Sequence, residues 1–292
     1  MLQKVQNSRY PETGTRYPGP RVPKGRGHES TGVGKTTEIR TEHLAPRIQT
    51  ERDPNEMAIA CQVQSKMFPQ RLPPLETLDY AASCEQAWTI GGDYYDFLEM
   101  GGGRVGFVLA DVSGKGIPAA LLMANLQASL RSQFTLALED LPGLLRAVNK
   151  RFHESATSGR FATLFFADYS DATRKLRYVS CGHNPAFLVH VSGLCEMLEA
   201  TATVLGLFKD WDCSVAEAAM APGDVLVVYS DGVSEAQSES GEMFGDERLL
   251  ASVRANAGLS AAGLLKAIAG AAHKFGGRVQ EDDLTLLVAR AR

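Results

Sequence analysis

The chain has 292 residues, of which 44% are hydrophobic and 22% are charged, the proportions of an ordinary globular protein. Its net charge of −4 argues against nucleic-acid binding by overall electrostatic attraction, and no apolar run reaches the ~20 residues of a membrane span. The five cysteines show neither metal-ligand nor disulfide spacing, and the first residues lack the apolar core of a signal peptide. We therefore expect a reduced, cytoplasmic protein that binds neither nucleic acid nor membrane.

The first fifty residues differ in composition from the rest of the chain. They contain nine Lys and Arg against four Glu, a balance of +5 that leaves −9 for residues 51–292. They are also rich in Gly, Pro and Thr and have no apolar periodicity, so they cannot bury enough surface to offset the entropy lost on folding. We predict that residues 1–52 are a disordered, basic N-terminal tail.

One motif within this tail resembles a nucleotide-binding loop. "ESTGVGKTT" (29–37) has Gly34, Lys35 and Thr36 in P-loop order, but Glu29 stands where the first glycine belongs. No strand pattern precedes the motif and no apolar helix follows it, although both are needed to aim the loop amides at phosphates. We keep P-loop nucleotide binding only as a rival interpretation.

The first ordered element is predicted to be a helix. Asp53 can cap its N-terminus, and Pro54 suits the first helical position. Four apolar residues recur at helical spacing and give the helix one apolar stripe: Met57, Ala60, Val63 and Met67. We expect residues 53–70 to form a linker or regulatory helix, able to contact a regulatory partner or a second copy of the chain through 53–68.

Strand and helix patterns then alternate in groups along the chain. Strand patterns occupy 78–87, 94–100, 104–113, 161–169, 175–182, 186–191, 194–199, 213–220, 225–231 and 284–290. Helical patterns occupy 117–134, 142–156, 245–257 and 260–275. Hairpin-like strands with grouped helices favour an antiparallel α+β arrangement over repeating βαβ units. Two packed sheets with helix pairs outside would use every element.

Aspartates stand at the end or edge of four apolar runs. They are Asp93, Asp96, Asp111, Asp231, Asp282 and Asp283. A single aspartate of this kind is explained by turn formation, but several half-buried carboxylates repel one another unless a cation neutralises them. Oxygen ligands favour Mg²⁺ or Mn²⁺, and the absence of His and Cys at these places argues against zinc.

Five motifs occur in an order that is specific as a set. They are "GGDYYDF", "ADVSGKGIPAALLM", "FATLFFADYSDATRKLRYVSCGHNPAFL", "VVYSDGVSEAQSESGEMFGDERL" and "EDDLTLLV". This order resembles the PPM-type (2C-like) serine/threonine phosphatases, in particular their bacterial SpoIIE/RsbU-like branch, over about residues 55–290. The resemblance implies a four-layer α-β-β-α sandwich, with residues 71–292 as the catalytic domain. It also implies two Mn²⁺ or Mg²⁺ ions and hydrolysis of phosphoserine or phosphothreonine on a protein.

The resemblance also implies roles for single residues. Asp111 would bridge the two ions, and the carbonyl of Val112 would complete the shell of one of them. Asp231 and Asp282 would bind the second ion. Asp93 would hold metal-bound water, so that Asp93 and Asp111 are the candidate catalytic residues.

Four further residues are expected to support this site: Gly92, Gly232, Asp283 and His183. For His183, a general acid that protonates the leaving group and a structural turn residue both remain open, and turn chemistry favours the second. Asp96 is expected to be structural.

The resemblance leaves one gap. Eukaryotic members carry an arginine shortly before the first aspartate to clamp the phosphate, whereas "SCEQAWTIGGD" (83–93) contains no basic residue. Either the metals and basic groups of the substrate suffice, or another arginine such as Arg160 substitutes. Gly114 and Gly116 are expected to form a tight turn, with Lys115 as a surface residue.

The expected function is bacterial partner-switching regulation. The resemblance implies that the substrate is a phosphorylated anti-sigma-factor antagonist of the STAS type. The alternative is a catalytically silent PPM-fold module that binds a phosphoprotein, and the complete set of four candidate aspartate ligands argues against it.

Overall fold

The computed structural model describes residues 54–134, 139–157, 159–276 and 280–292. The predicted basic tail (1–52), its P-loop-like motif and the capping residue Asp53 lie outside these ranges. Within them the helices are α1 (Pro54–Ser65), α2 (Ile117–Gln133), α3 (Leu141–Ser155), α4 (Asp231–Ser234), α5 (Gly245–Asn256) and α6 (Ala261–Gly276). None of these helices is long and apolar enough to cross a membrane.

The strands of the described ranges follow the predicted order closely. They are β1 (Leu78–Glu85), β2 (Tyr94–Gly101), β3 (Arg104–Val112), β4 (Ala162–Ser170), β5 (Lys175–Cys181), β6 (Ala186–Val189), β7 (Cys195–Leu198), β8 (Ala216–Ala219), β9 (Val225–Tyr229) and β10 (Leu284–Ala291). The first sheet has the order β1-β10-β9-β6-β7, and the second has the order β2-β3-β4-β5-β8. The pairings between these strands are antiparallel, which confirms the predicted α+β class.

Three apolar layers hold the sheets and helices together. Between the sheets lie residues such as Phe107, Phe165 and Leu226. The outer face of the second sheet packs on α2 and α3, and the outer face of the first sheet packs on α5 and α6. Central strands such as β3 are therefore covered on both faces, which is why their sequences are continuous apolar runs rather than alternating ones.

The helix α1 contacts the rest of the protein differently from the prediction. Val63, assigned to the apolar stripe, is 52% exposed, whereas its neighbour Gln64 is only 4% exposed. The Gln64 side chain donates to the carbonyl of Gly91 (2.8 Å) and accepts from the amide of Gly91 (3.1 Å) and from Gln86 (2.7 Å). Three predicted stripe residues, Met57, Ala60 and Met67, are partly buried, but the buried position of the third turn is taken by the amide of Gln64 rather than by Val63.

Asp96 is structural, as expected. Its carboxylate is fully buried on β2 and accepts two hydrogen bonds from Arg131 of α2, both 2.7 Å long. The hydroxyl of Tyr94 donates to the same carboxylate. Because a buried charge is tolerated only when paired and hydrogen-bonded, this arrangement ties α2 to the second sheet.

Candidate metal centre

Five aspartates meet at one edge of the sandwich, and we call them the acidic cluster: Asp93, Asp111, Asp231, Asp282 and Asp283. Asp111 is near the end of β3 in the second sheet, and Asp93 immediately precedes β2. Asp231 begins α4, two residues after the last residue of β9. Asp282 and Asp283 immediately precede β10. The strands of both sheets thus contribute to one site, because their ends face each other across the sandwich.

The electrostatics of Asp111 show how closely these carboxylates lie. Burial, followed by the negative charges of Asp231, Asp282 and Asp283, raises the pKa of Asp111 to about 7. The pKa of Asp231 is raised as well, first by burial and then by Asp282. Each carboxylate makes ionisation of its neighbours less favourable. A bound divalent cation would offset this repulsion and stabilise the ionised carboxylates.

Asp93 is the most buried candidate ligand, and its orientation is fixed. Burial, Asp111 and Asp283 raise the pKa of Asp93 well above its usual range, against a hydrogen bond from Thr285. The Thr285 hydroxyl donates to Asp93 Oδ2 at 2.5 Å. Thr285 was not among the predicted site residues, although a hydroxyl inside the apolar run "LTLLV" was a usable indication.

Asp283 organises the loop that carries Asp93. Its carboxylate accepts from the backbone amides of Ala87 (2.9 Å), Gly92 (3.0 Å) and Asp93 (3.3 Å). These donors occupy much of its capacity, so Asp283 positions the loop from residue 87 to Asp93.

The two supporting glycines allow close approach of carbonyl groups. A Cβ on Gly92 would lie 2.7 Å from the carbonyl oxygen of Val112, the predicted backbone ligand. A Cβ on Gly232 would lie 2.1 Å from the carbonyl oxygen of Asp283. Both contacts are far inside van der Waals distance, so any side chain here would displace the backbone that supports the cluster.

His183 is buried beside the cluster rather than exposed in it. Its Nδ1 lies 2.8 Å from the hydroxyl of Thr163, which pairs with Asp111 across β3 and β4. Burial lowers the pKa of His183 to about 4, so the ring is neutral at pH 7. A neutral ring without solvent access does not fit the general-acid interpretation, and it fits the structural one.

Two basic residues lie near the cluster, and Lys115 is exposed, as expected. Lys115, predicted to be a surface residue, has its ammonium 2.9 Å from Asp282 Oδ2 and donates to the carbonyl of Glu281 at 2.6 Å. Arg160, the suggested phosphate ligand, instead donates to the carbonyl of Ser113 at 2.8 Å. The turn after Asp111 is therefore held by Arg160 and carries Lys115 towards the cluster.

The donor set fits a hard divalent cation. It consists of carboxylate oxygens and the Val112 carbonyl, which suit Mg²⁺ or Mn²⁺ and not zinc. Within the described residues, no three His, Cys, Asp or Glu side chains are placed to hold one ion between them. Mg²⁺ commonly keeps several waters and takes only one or two carboxylates. Two protein carboxylates per ion are therefore enough for such a site.

The chain is similar to a known protein family and to a curated relative. The model of the family described as stage II sporulation protein E (SpoIIE) matches residues 101–292. Phosphoserine phosphatase RsbU of Bacillus subtilis (strain 168) is 31% identical over 201 residues, which cover 68% of this chain and 59% of the relative. The chain thus spans about three fifths of the length of this curated relative.

Solved structures agree with the fold. The RsbU and RsbW domains of Rv1364c from Mycobacterium tuberculosis match with a TM-score of 0.64 and 25% identity, over 76% of this chain and 62% of that one. The catalytic domain of the serine threonine protein phosphatase PstP, solved in complex with 2 manganese ions, matches with a TM-score of 0.57 and 18% identity, over 74% of this chain and 98% of that one. The predicted sandwich is thereby confirmed.

Proposed function

The chain belongs to the SpoIIE family of PPM-type phosphatases, and on that premise we propose that it hydrolyses phosphoserine or phosphothreonine on a regulatory protein. The observation that carries this proposal is the acidic cluster, which both sheets build at one edge of the sandwich. The curated relative RsbU, named as a phosphoserine phosphatase, supports the same activity.

The proposed chemistry assigns a task to each part of the cluster. Two bound Mn²⁺ or Mg²⁺ ions would supply a water of lowered pKa and neutralise charge on the phosphoryl oxygens. Asp111 would face both ions, with the Val112 carbonyl beside it, and Asp231 and Asp282 would bind the second. Asp93, held by Thr285, would orient the attacking water. Direct attack by water requires no Ser, Cys or His nucleophile.

The substrate class follows from the family resemblance. We propose a phosphorylated STAS-type anti-sigma-factor antagonist, dephosphorylated within bacterial partner switching. A solved neighbour that contains RsbU and RsbW domains supports a regulatory protein partner of this kind.

We also propose that segment 53–70 regulates the catalytic domain 71–292. Gln64 of α1 bonds both the amide and the carbonyl of Gly91, two residues before Asp93. A partner or second copy that moved α1 through its exposed residues, such as Ile59 and Val63, would therefore move the loop that carries Asp93.

The test is hydrolysis of p-nitrophenyl phosphate and of a phospho-STAS protein with and without Mn²⁺. Wild type should turn over only with metal, and Asp111→Asn should lose that turnover. Asp212→Asn, which changes an exposed aspartate paired with Arg146, is the matched control. Metal-independent turnover, or an undiminished Asp111→Asn variant, would contradict the proposal. Folded protein that binds the phosphoprotein without turnover under any activating condition would favour the binding module.

A further inference from the structure

Lys115 supplies positive charge directly to the acidic cluster. Its ammonium lies 2.9 Å from Asp282 Oδ2 and donates to the carbonyl of Glu281 at 2.6 Å. In the part of the chain that the structure describes, it is the one Lys or Arg side chain that pairs with a member of the cluster. The site therefore contains a cation that the expected ligand roles do not use.

The backbone places Lys115 at the tip of a turn. Gly114 and Gly116 on either side have φ of +97° and +68°, the left-handed region that favours glycine. A Cβ on Gly116 would meet no atom within 4 Å, so glycine is needed there for conformation rather than for space. Two left-handed residues thus project Lys115 from the segment that follows Asp111.

Lys115 stands between the cluster and a neighbouring cavity. On one side it lines a small cavity with Asp111, Asp282 and Asp283. On the other it lines a cavity of about 260 Å³ with residues that include Gln237 and His273. A phosphorylated side chain that approached the cluster from this cavity would pass the Lys115 ammonium.

The bond to Asp282 leaves Lys115 free to change partner. The side chains of Lys115 and Asp282 are 47% and 45% exposed, and an ion pair exposed to this degree contributes little to stability. The flexible four-carbon stem of lysine and its three donors allow one oxygen ligand to be exchanged for another at small cost.

A cation from the protein would assist the metal ions in holding the phosphate. A phosphate monoester dianion is repelled by carboxylates, and residues 83–93 contain no Lys or Arg. Arg160 is engaged by the carbonyl of Ser113, and its Nη1 would lie 1.8 Å from a Cβ on Gly114. Arg160 therefore holds the turn, and among the described residues Lys115 is the Lys or Arg side chain paired with the cluster.

We propose that Lys115 is a substrate-binding residue that exchanges Asp282 for the phosphoryl oxygens of the phosphorylated serine or threonine. This inference rests on the proposed phosphatase function and deepens it. Lys115 thereby takes the place of the phosphate-clamping arginine that the sequence lacks before Asp93.

The test compares Lys115→Met with Lys115→Arg on the full chain. Steady-state hydrolysis of p-nitrophenyl phosphate gives KM and kcat separately, and calorimetric titration gives the affinities for Mn²⁺ and for inorganic phosphate. Lys175→Met is the matched control, because Lys175 is an exposed lysine 4.0 Å from Glu217 on strands β5 and β8.

Lys115→Met should raise KM and weaken phosphate binding by about tenfold, with kcat and Mn²⁺ affinity changed much less. Lys115→Arg should restore most of the phosphate affinity, and the control should match wild type. Unchanged KM and phosphate binding in Lys115→Met would overturn the inference while wild-type turnover still supported the phosphatase. Tighter Mn²⁺ binding with unchanged phosphate affinity would overturn it too, and would make Lys115 a counter-ion that competes with the metal.

Discussion

The molecule buries aspartates in two regions with opposite electrostatics. On β2 and β4, Asp96 and Asp168 are paired with arginines: Arg131 holds the first, while Arg104 and Arg177 hold the second at 2.6 Å. At the edge of the sandwich, Asp93 and Asp111 face other aspartates, and their pKa values are raised. The same side chain thus stabilises the fold where each carboxylate has an arginine partner, whereas in the cluster only Asp282 pairs with a lysine among the described residues.

The change with the largest expected effect neutralises one aspartate of the acidic cluster. Asp111→Asn should lower kcat/KM by about a thousandfold, because the bridging carboxylate is lost. The same change should not lower the free energy of unfolding in EDTA, because it removes like-charge repulsion. Urea denaturation beside steady-state kinetics would check both effects. A large loss of metal-free stability would contradict the contrast between the two regions.

The converse change is Asp96→Asn in the paired region. Losing the charge that accepts two hydrogen bonds from Arg131 should lower the free energy of unfolding by about 2 kcal/mol, less than for a fully buried pair because Arg131 is partly exposed. Mn²⁺ affinity measured by calorimetry on the folded variant should stay close to that of wild type. A double-mutant cycle with Arg131→Gln should return a stabilising coupling energy, and a coupling near zero would count against the pair.

A third change tests whether α1 reaches the cluster through one side chain. Gln64→Leu removes both bonds to Gly91, and we expect kcat/KM to fall by about tenfold. Gln62→Leu is the matched control, because Gln62 is an exposed glutamine on the same helix. Equal activity of the two variants would mean that α1 does not constrain the loop before Asp93.

The last prediction is a pH dependence of metal-free stability. The pKa of Asp111 is about 7 in the folded protein against ~3.9 in an unfolded chain, so the folded state binds more protons between these values. Stability in EDTA should therefore fall as pH rises from about 4 to about 7, and then level off. Thermal unfolding across this range would check the trend, and Asp111→Asn should make the slope shallower. A rise of stability with pH over this window would contradict the prediction, and would show that positively charged side chains of the protein already neutralise the cluster.

Much of the fold was predictable because it follows from local patterns. The continuous apolar run that ends at Asp111 reads as a strand covered on both faces, and the structure covers it with the other sheet and with α2. The glycines around Lys115 read as a turn into a helix, and both have positive φ. The short helix α4 was missed because only four residues form it, too few for a periodic pattern.

The aspartates of the site could be predicted from the sequence, but the hydrogen-bond partners that position them and their loop could not. Thr285 bonds Asp93 across 192 positions of sequence, and Gln64 bonds Gly91 across 27. Such bonds depend on which loops the folded sheets bring together. The periodicity of a single sequence does not predict these contacts between distant loops. One position of the α1 stripe was misassigned, because Val63 is the better apolar candidate while Gln64 has a buried partner.

The bond between Gln64 and Gly91 has a consequence for how this catalytic domain can be combined with other segments. Gln64 bonds the main chain of Gly91 and accepts from the side chain of Gln86, so the coupling to the loop depends on one amide side chain at one angular position of the helix. A different helix could be joined in front of the domain and still communicate with it, provided that it presented a glutamine there. Inserting a single residue after Gln64 would turn that side chain by about 100° about the helix axis, and would uncouple the two parts without altering either one.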